Sequence, residues 1–309
     1  MLESVARLRE NLAKVFLGNP TAIDRIIRCL LARGHILIED VPGVGKTVLA
    51  TAMARSLDCT FSRVQLTPDM LPSDVLGVSV YNESTGEFVF KRGPVFANLV
   101  LADEINRTTP RTQSALLEAM NESTVTIDGH SYALDQPFMV IATQNPFEFE
   151  GTYVLPENQL DRFLMRTELG YPSPEIEARV LEQRPARSAL PALEPVMTRQ
   201  EVITLQERVD RVKIDQSLLD YVVTLAGATR EDDDLLVGLS PRGSLALTHA
   251  ARASAVLDDR DYVIPEDIMR NIVTVCAHRV ISKTYAHGRE STASAEVLKR
   301  IVESLKSPV

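Results

Sequence analysis

Apolar residues along the first 171 positions gather into short strand-like runs at 35–39, 62–66, 98–102 and 138–143, with a shorter one at 167–170. Such apolar central runs, alternating with helical patterns, predict a parallel sheet covered on both faces. Ahead of them, Ile23, Ile26, Ile27, Leu30 and Leu31 recur at helical spacing, which predicts helix across 1–34. Two stretches break the alternation. Residues 79–92 read as a hairpin around Ser84-Thr85-Gly86, and 123–134 as a second with Asp128-Gly129 at its turn.

After 172 the pattern changes. Pro172, Pro174, Pro185, Pro191 and Pro195 punctuate a linker around one helix at 174–184. Beyond it the spacing is helical throughout, at 199–212, 216–229, 241–258, 265–282 and 292–306. Thr198 with Glu201 forms a capping box, and Pro265 sits where a helix begins. The chain therefore divides into an α/β core (1–172), a Pro-rich linker (173–197) and an all-α domain (198–309).

Composition adds bounds. The 309 residues are 45% hydrophobic and 24% charged, the balance of a soluble globular protein of about two domains. A net charge of −9 lacks the basic bias of a nucleic-acid binder. Cys29, Cys59 and Cys276 are isolated, so no disulfide or zinc framework is implied and a reducing cytoplasm fits. No apolar run is long enough for a membrane span. The histidines His35, His130, His249, His278 and His287 form no ligand pair, and Glu231-Asp232-Asp233-Asp234 reads as a solvated loop.

Ile36-Leu37-Ile38-Glu39-Asp40-Val41-Pro42-Gly43-Val44-Gly45-Lys46-Thr47 carries the chemistry. A strand, a glycine-rich turn and Lys-Thr opening a helix (48–57) make a phosphate-binding loop. Backbone amides from Pro42 to Val48 would surround the phosphates, apart from the proline nitrogen. Lys46 would reach the β- and γ-phosphates, and Thr47 would ligate Mg²⁺. Asp40 occupies the place of the usual first glycine, so its carboxylate must turn away from the phosphates. Leu99 to Glu104 is a second strand, ending in two carboxylates. Asp103 would hold Mg²⁺ through water, and Glu104 would act as general base. Gln144-Asn145-Pro146 ends the next strand, where an amide could reach the nucleophilic water or simply begin a turn.

Together these segments resemble the AAA+ ATPases, and more narrowly the MoxR family. The run Asp103 to Met120 (DEINRTTPRTQSALLEAM) looks very much like the family's hallmark. Supporting matches are Gly34-His35, Thr67 to Asp74, Gly93 to Phe96, Ala142 to Pro146 and Leu155 to Phe163. The resemblance implies a five-stranded parallel sheet with inserted hairpins, followed by a smaller all-α lid. It places the adenine beside Phe16, Leu17 and Gly18, and gives Asn145 the role of γ-phosphate sensor. Arg162 would be an arginine finger acting on a neighbouring subunit's nucleotide, with Arg166 as the fallback, and Arg242 a lid arginine contacting the same nucleotide from the α domain.

The resemblance further implies ATP and Mg²⁺, a homo-oligomeric ring (a hexamer), and remodelling of a protein or metalloenzyme client with a von Willebrand factor A domain partner. A nucleic-acid motor, a chelatase-type metal-insertion subunit and a nucleotide-switched scaffold are the alternatives.

Overall fold

The computed structural model describes residues 2–146, 151–283 and 290–306; His287 lies outside them. The predicted first helix is two, α1 (Leu2–Val15) and α2 (Pro20–Leu31). Asn19 separates them: its side chain accepts from the Thr21 amide, and Pro20 pre-sets the first turn. Then follow β1 (Ile36–Glu39), α3 (Lys46–Ser56), β2 (Leu57–Asp58), β3 (Phe61–Gln65) and α4 (Pro72–Leu76). The hairpin β4 (Gly77–Asn82) and β5 (Glu87–Arg92) precedes β6 (Leu99–Asp103) and α5 (Pro110–Glu122). A second hairpin, β7 (Thr124–Ile127) and β8 (His130–Ala133), leads to β9 (Met139–Gln144), α6 (Glu157–Leu160) and β10 (Met165–Thr167).

The main sheet has the order β10-β1-β9-β6-β3, with every pair parallel. Side chains of its central strands alternate between two apolar layers. Ile36, Ile38, Leu99, Leu101, Met139 and Ile141 pack on the side of α1 to α3. Leu37, Val100, Ala102, Val140 and Ala142 pack toward α5 and Val125. Gly34, just before β1, is required by close approach: a Cβ there would lie 2.3 Å from Leu164.

Beyond β10 come α7 (Pro174–Gln183), α8 (Pro185–Ser188), β11 (Met197–Thr198), α9 (Arg199–Arg211), α10 (Gln216–Glu231) and β12 (Leu235–Val237). The chain continues with α11 (Pro241–Leu257), α12 (Pro265–Met269), α13 (Ile272–Cys276), β13 (Ile281–Ser282) and α14 (Glu290–Ser304). The Thr198–Glu201 capping box is present at the start of α9. The single helix expected at 265–282 is broken into α12, α13 and β13. Buried Asn271 is the reason: its amide bonds Ser254 Oγ and the Asp267 carbonyl, and its oxygen accepts from Arg28. That polar network outweighs helical continuity.

The helical domain is a lid joined to the core by one continuous apolar layer. Val202, Leu205, Leu225, Leu247, Ile268 and Val275 belong to the same cluster as α1 to α3. Helices α9 and α11 pack on α2, and α13 packs on β10. Gln206 Nε2 donates to the Leu30 carbonyl at 2.8 Å inside that layer.

Candidate nucleotide site

All five parallel strands end on one edge of the sheet, so the loops after β1, β6 and β9 converge there. In the loop after β1, Gly43 (φ +88°) and Gly45 (φ +98°) adopt the left-handed region that side chains disfavour. Asp40 is not in that region, so no glycine is demanded at its position. Its carboxylate faces outward: Oδ1 accepts from the Val41 amide at 2.8 Å, and Oδ2 from the amides of Leu169 and Gly170 at 2.8 and 2.7 Å. The condition that Asp40 avoid the phosphates is met.

Lys46 and Thr47 lie in the first turn of α3, two residues earlier than the sequence pattern placed its start. Lys46 Nζ donates to the carbonyls of Asp40 (2.5 Å) and Gln144 (3.1 Å), which hold it across the mouth of the loop. Partial burial lowers its pKa, opposed by the carboxylates of Asp40, Glu104, Asp103 and Glu39. Thr47 Oγ1 stands 3.4 Å from Asp103 Oδ1. Asp103 also accepts from Thr143 Oγ1 at 3.1 Å and from Arg63 at 2.8 Å. A hydroxyl in the first turn of α3 and a carboxylate at the end of β6 are the hard oxygen donors that suit Mg²⁺.

Glu104 has φ 57° and ψ 55°, an uncommon left-handed conformation for a non-glycine. Its amide donates to Thr143 Oγ1 at 3.0 Å. Its Oε2 accepts from Gln65 Nε2 at 2.8 Å and pairs with Arg107 at 3.2 Å. Gln65 lies directly opposite Asp103 in the β3–β6 register. Neither Gln65 nor Arg63 is flagged by any local motif; the signal that could find them is the pairing of their strand with the one bearing the two carboxylates. Asn145, half-buried just past β9, accepts from Asn106 Nδ2 through its carbonyl at 3.3 Å.

Beside the loop lies a cavity of about 690 Å³, lined among others by Phe16, Gly18, Val44, Val48, Tyr171 and Ile176. Its largely apolar walls and size suit a purine base. Phe16, Leu17 and Gly18 all line the cavity.

The arginines separate into two groups. Arg166 forms an ion pair with Glu39, both largely buried, and Gln144 Nε2 donates to the same carboxylate at 3.0 Å. Burial raises the Glu39 pKa, opposed by Arg166. This guanidinium is engaged inside its own chain. Arg162 and Arg242 instead line one cavity of about 540 Å³ with Arg33, Arg252 and Arg279. Arg162 Nη1 donates to the Leu117 carbonyl at 2.6 Å, and Arg242 Nη1 pairs with Asp161 at 3.4 Å. Neither lines the base cavity. The lid rests on α2 and β10, which carries α11 to the Arg162 side.

The profile of the ATPase family associated with various cellular activities (AAA) matches residues 35–165, and that of the AAA lid domain matches 227–301. The uncharacterized protein YeaC of Bacillus subtilis is 48% identical over 97% of this chain and 93% of its own length. The chaperone MoxR1 of Mycobacterium tuberculosis is 39% identical over 96% of this chain and 80% of its own. The chain belongs to the MoxR family of AAA+ ATPases. A solved structure from Cytophaga hutchinsonii, assigned as an ATPase, superimposes on it with a TM-score of 0.89 and 37% identity, covering 99% of this chain and 95% of that one. This MoxR-family ATPase has the five-stranded parallel core and helical lid that the resemblance implied. Among the described residues no helix is long and apolar enough to cross a membrane, and no cluster of three or more His, Cys, Asp or Glu could hold a metal.

Proposed function

We propose that this ATPase hydrolyses ATP in a Mg²⁺-dependent reaction within a ring, a hexamer, and uses the lid motion to remodel a protein or metalloenzyme client in the cytoplasm. The observation that carries the reading is the convergence of Lys46, Thr47, Asp103 and Glu104 on one sheet edge, while Arg162 and Arg242 share a separate cavity. Such a division completes a hydrolytic site only if a second copy brings its arginines to the first copy's phosphates.

Lys46 and the loop amides bind the phosphate chain. Thr47 and Asp103 would hold Mg²⁺, which neutralises charge on the β- and γ-phosphates when bound. Glu104 takes the proton of the attacking water, and Asn145 orients that water or the γ-phosphate. Arg162 and Arg242 of the next subunit offset the charge that develops on the γ-phosphoryl group. An arginine finger in other NTPases is worth about 10³–10⁵ in rate. A chaperone role is supported by the name of the M. tuberculosis relative, and a von Willebrand factor A domain protein is the partner class we expect.

Phosphate release by the full chain is expected with Mg²⁺ and lost with chelator. Glu104→Gln should bind ATP and nearly abolish turnover; with ATP it should sediment as a ring and retain its partner on an affinity column. Unchanged turnover in that variant would refute the general-base role, and a monomer in both the presence and absence of ATP would remove the ring.

A further inference from the structure

Arg279, three residues after α13, directs its guanidinium onto the short segment that bears Arg162. Nε donates to Asp161 Oδ1 at 2.7 Å, Nη2 to the carbonyls of Asp161 (3.0 Å) and Phe163 (2.7 Å), and Nη1 to the Leu164 carbonyl at 3.2 Å. Its side chain is 3% exposed. The second oxygen of Asp161 takes Arg242, from the first turn of α11. Arg162 thus sits between residues that one lid arginine grips on both sides, and one carboxylate holds Arg242 beside it.

We propose that Asp161 and Arg279 are positioning residues: a clasp that sets Arg162 and Arg242 as a pair and makes both follow the lid. The inference rests on the reading that these two arginines serve a neighbouring subunit. Segment 161–164 cannot shift against α13 without leaving a buried guanidinium short of acceptors, so the clasp transmits lid position to Arg162 without slack. The clasp's cavity shares no lining residue with the base cavity. Losing the clasp therefore harms the neighbour's turnover while sparing the subunit's own ATP binding.

The test uses full-length Arg279→Lys, which keeps the charge and loses the fork, and Asp161→Asn, a milder change at a half-buried site. For each, kcat is expected to fall about tenfold or more, the scale of a misplaced catalytic group. The KM for ATP should stay within about twofold, the signature of an interaction made in the transition state. Each variant is then mixed with Glu104→Gln subunits, which lack the base but carry an intact clasp. Turnover of the mixture should exceed the sum of the separate preparations, because intact arginines then face intact bases. Arg162→Ala mixed with Glu104→Gln is the control. If the control is rescued and the clasp variants are not, or if they keep wild-type kcat, the clasp is overturned. A merely structural tie would give that result together with a lowered thermal midpoint. If the control is not rescued, the neighbouring-subunit reading fails and the clasp fails with it.

Discussion

The carboxylate of Asp40 accepts a hydrogen bond from the amide of Gly170 at 2.7 Å, tying the start of the phosphate loop to the chain just past the edge strand of the sheet. The same oxygen accepts from Leu169. A residue that looks like a defect in the loop motif is an anchor. Replacing it with the usual glycine, Asp40→Gly, should therefore harm the protein. The expected loss is about 1–3 kcal/mol of stability from the unpaired amides, with weaker ATP binding. Denaturant unfolding and titration with a fluorescent ATP analogue check this; equal stability and affinity would show that the anchor contributes nothing.

Gln65 holds Oε2 of Glu104, the residue we propose as general base. Removing a hydrogen bond worth about 0.5–1.5 kcal/mol leaves Arg107 as that oxygen's partner and loosens its restraint, so Gln65→Leu should raise basal phosphate release by about two- to tenfold. The rate is measured at saturating ATP without a client. A slower or unchanged rate would mean that Gln65 does not restrain the base.

Arg166 neutralises Glu39 inside the sheet. Arg166→Met leaves a buried carboxylate unpaired and is expected to cost about 3–5 kcal/mol. Adding Glu39→Leu should recover most of that. Mixing Arg166→Met with Glu104→Gln subunits should give no rescue of turnover, in contrast to Arg162→Ala. Rescue would return Arg166 to the role of finger.

His35 is buried, donates from Nε2 to the Met120 carbonyl, and accepts from the Val140 amide at Nδ1. Burial pushes its pKa down to about 4. A depressed folded pKa contributes stability that is full above the unfolded value near 6.5 and is lost as pH falls toward 4. Between pH 7 and pH 5 the wild type should lose about 2 kcal/mol more than His35→Gln. Urea unfolding of both proteins at the two pH values decides; parallel losses would contradict the assignment.

The phosphate loop, the paired carboxylates at the end of β6, the two hairpins and the change to mainly helical structure after residue 172 were legible in the sequence, because each is a pattern among neighbouring residues; the short strands β11, β12 and β13 were not. Central strands buried on both faces must be runs of apolar side chains, and a turn with two left-handed residues calls for Gly43 and Gly45. The resemblance to the MoxR family was legible for the same reason, in the unbroken run from Asp103 to Met120. Tertiary structure alone decided the pairings. Asp40 meets Gly170, Glu39 takes Arg166, Gln65 reaches Glu104, and Arg242 joins Arg162 through Asp161. It also broke the expected helix at 265–282 around the buried Asn271. The partners in these contacts are distant in the chain. What brings them together is strand order and the seating of the lid on α2, which follow from burying apolar faces against one another and leave no local pattern to read.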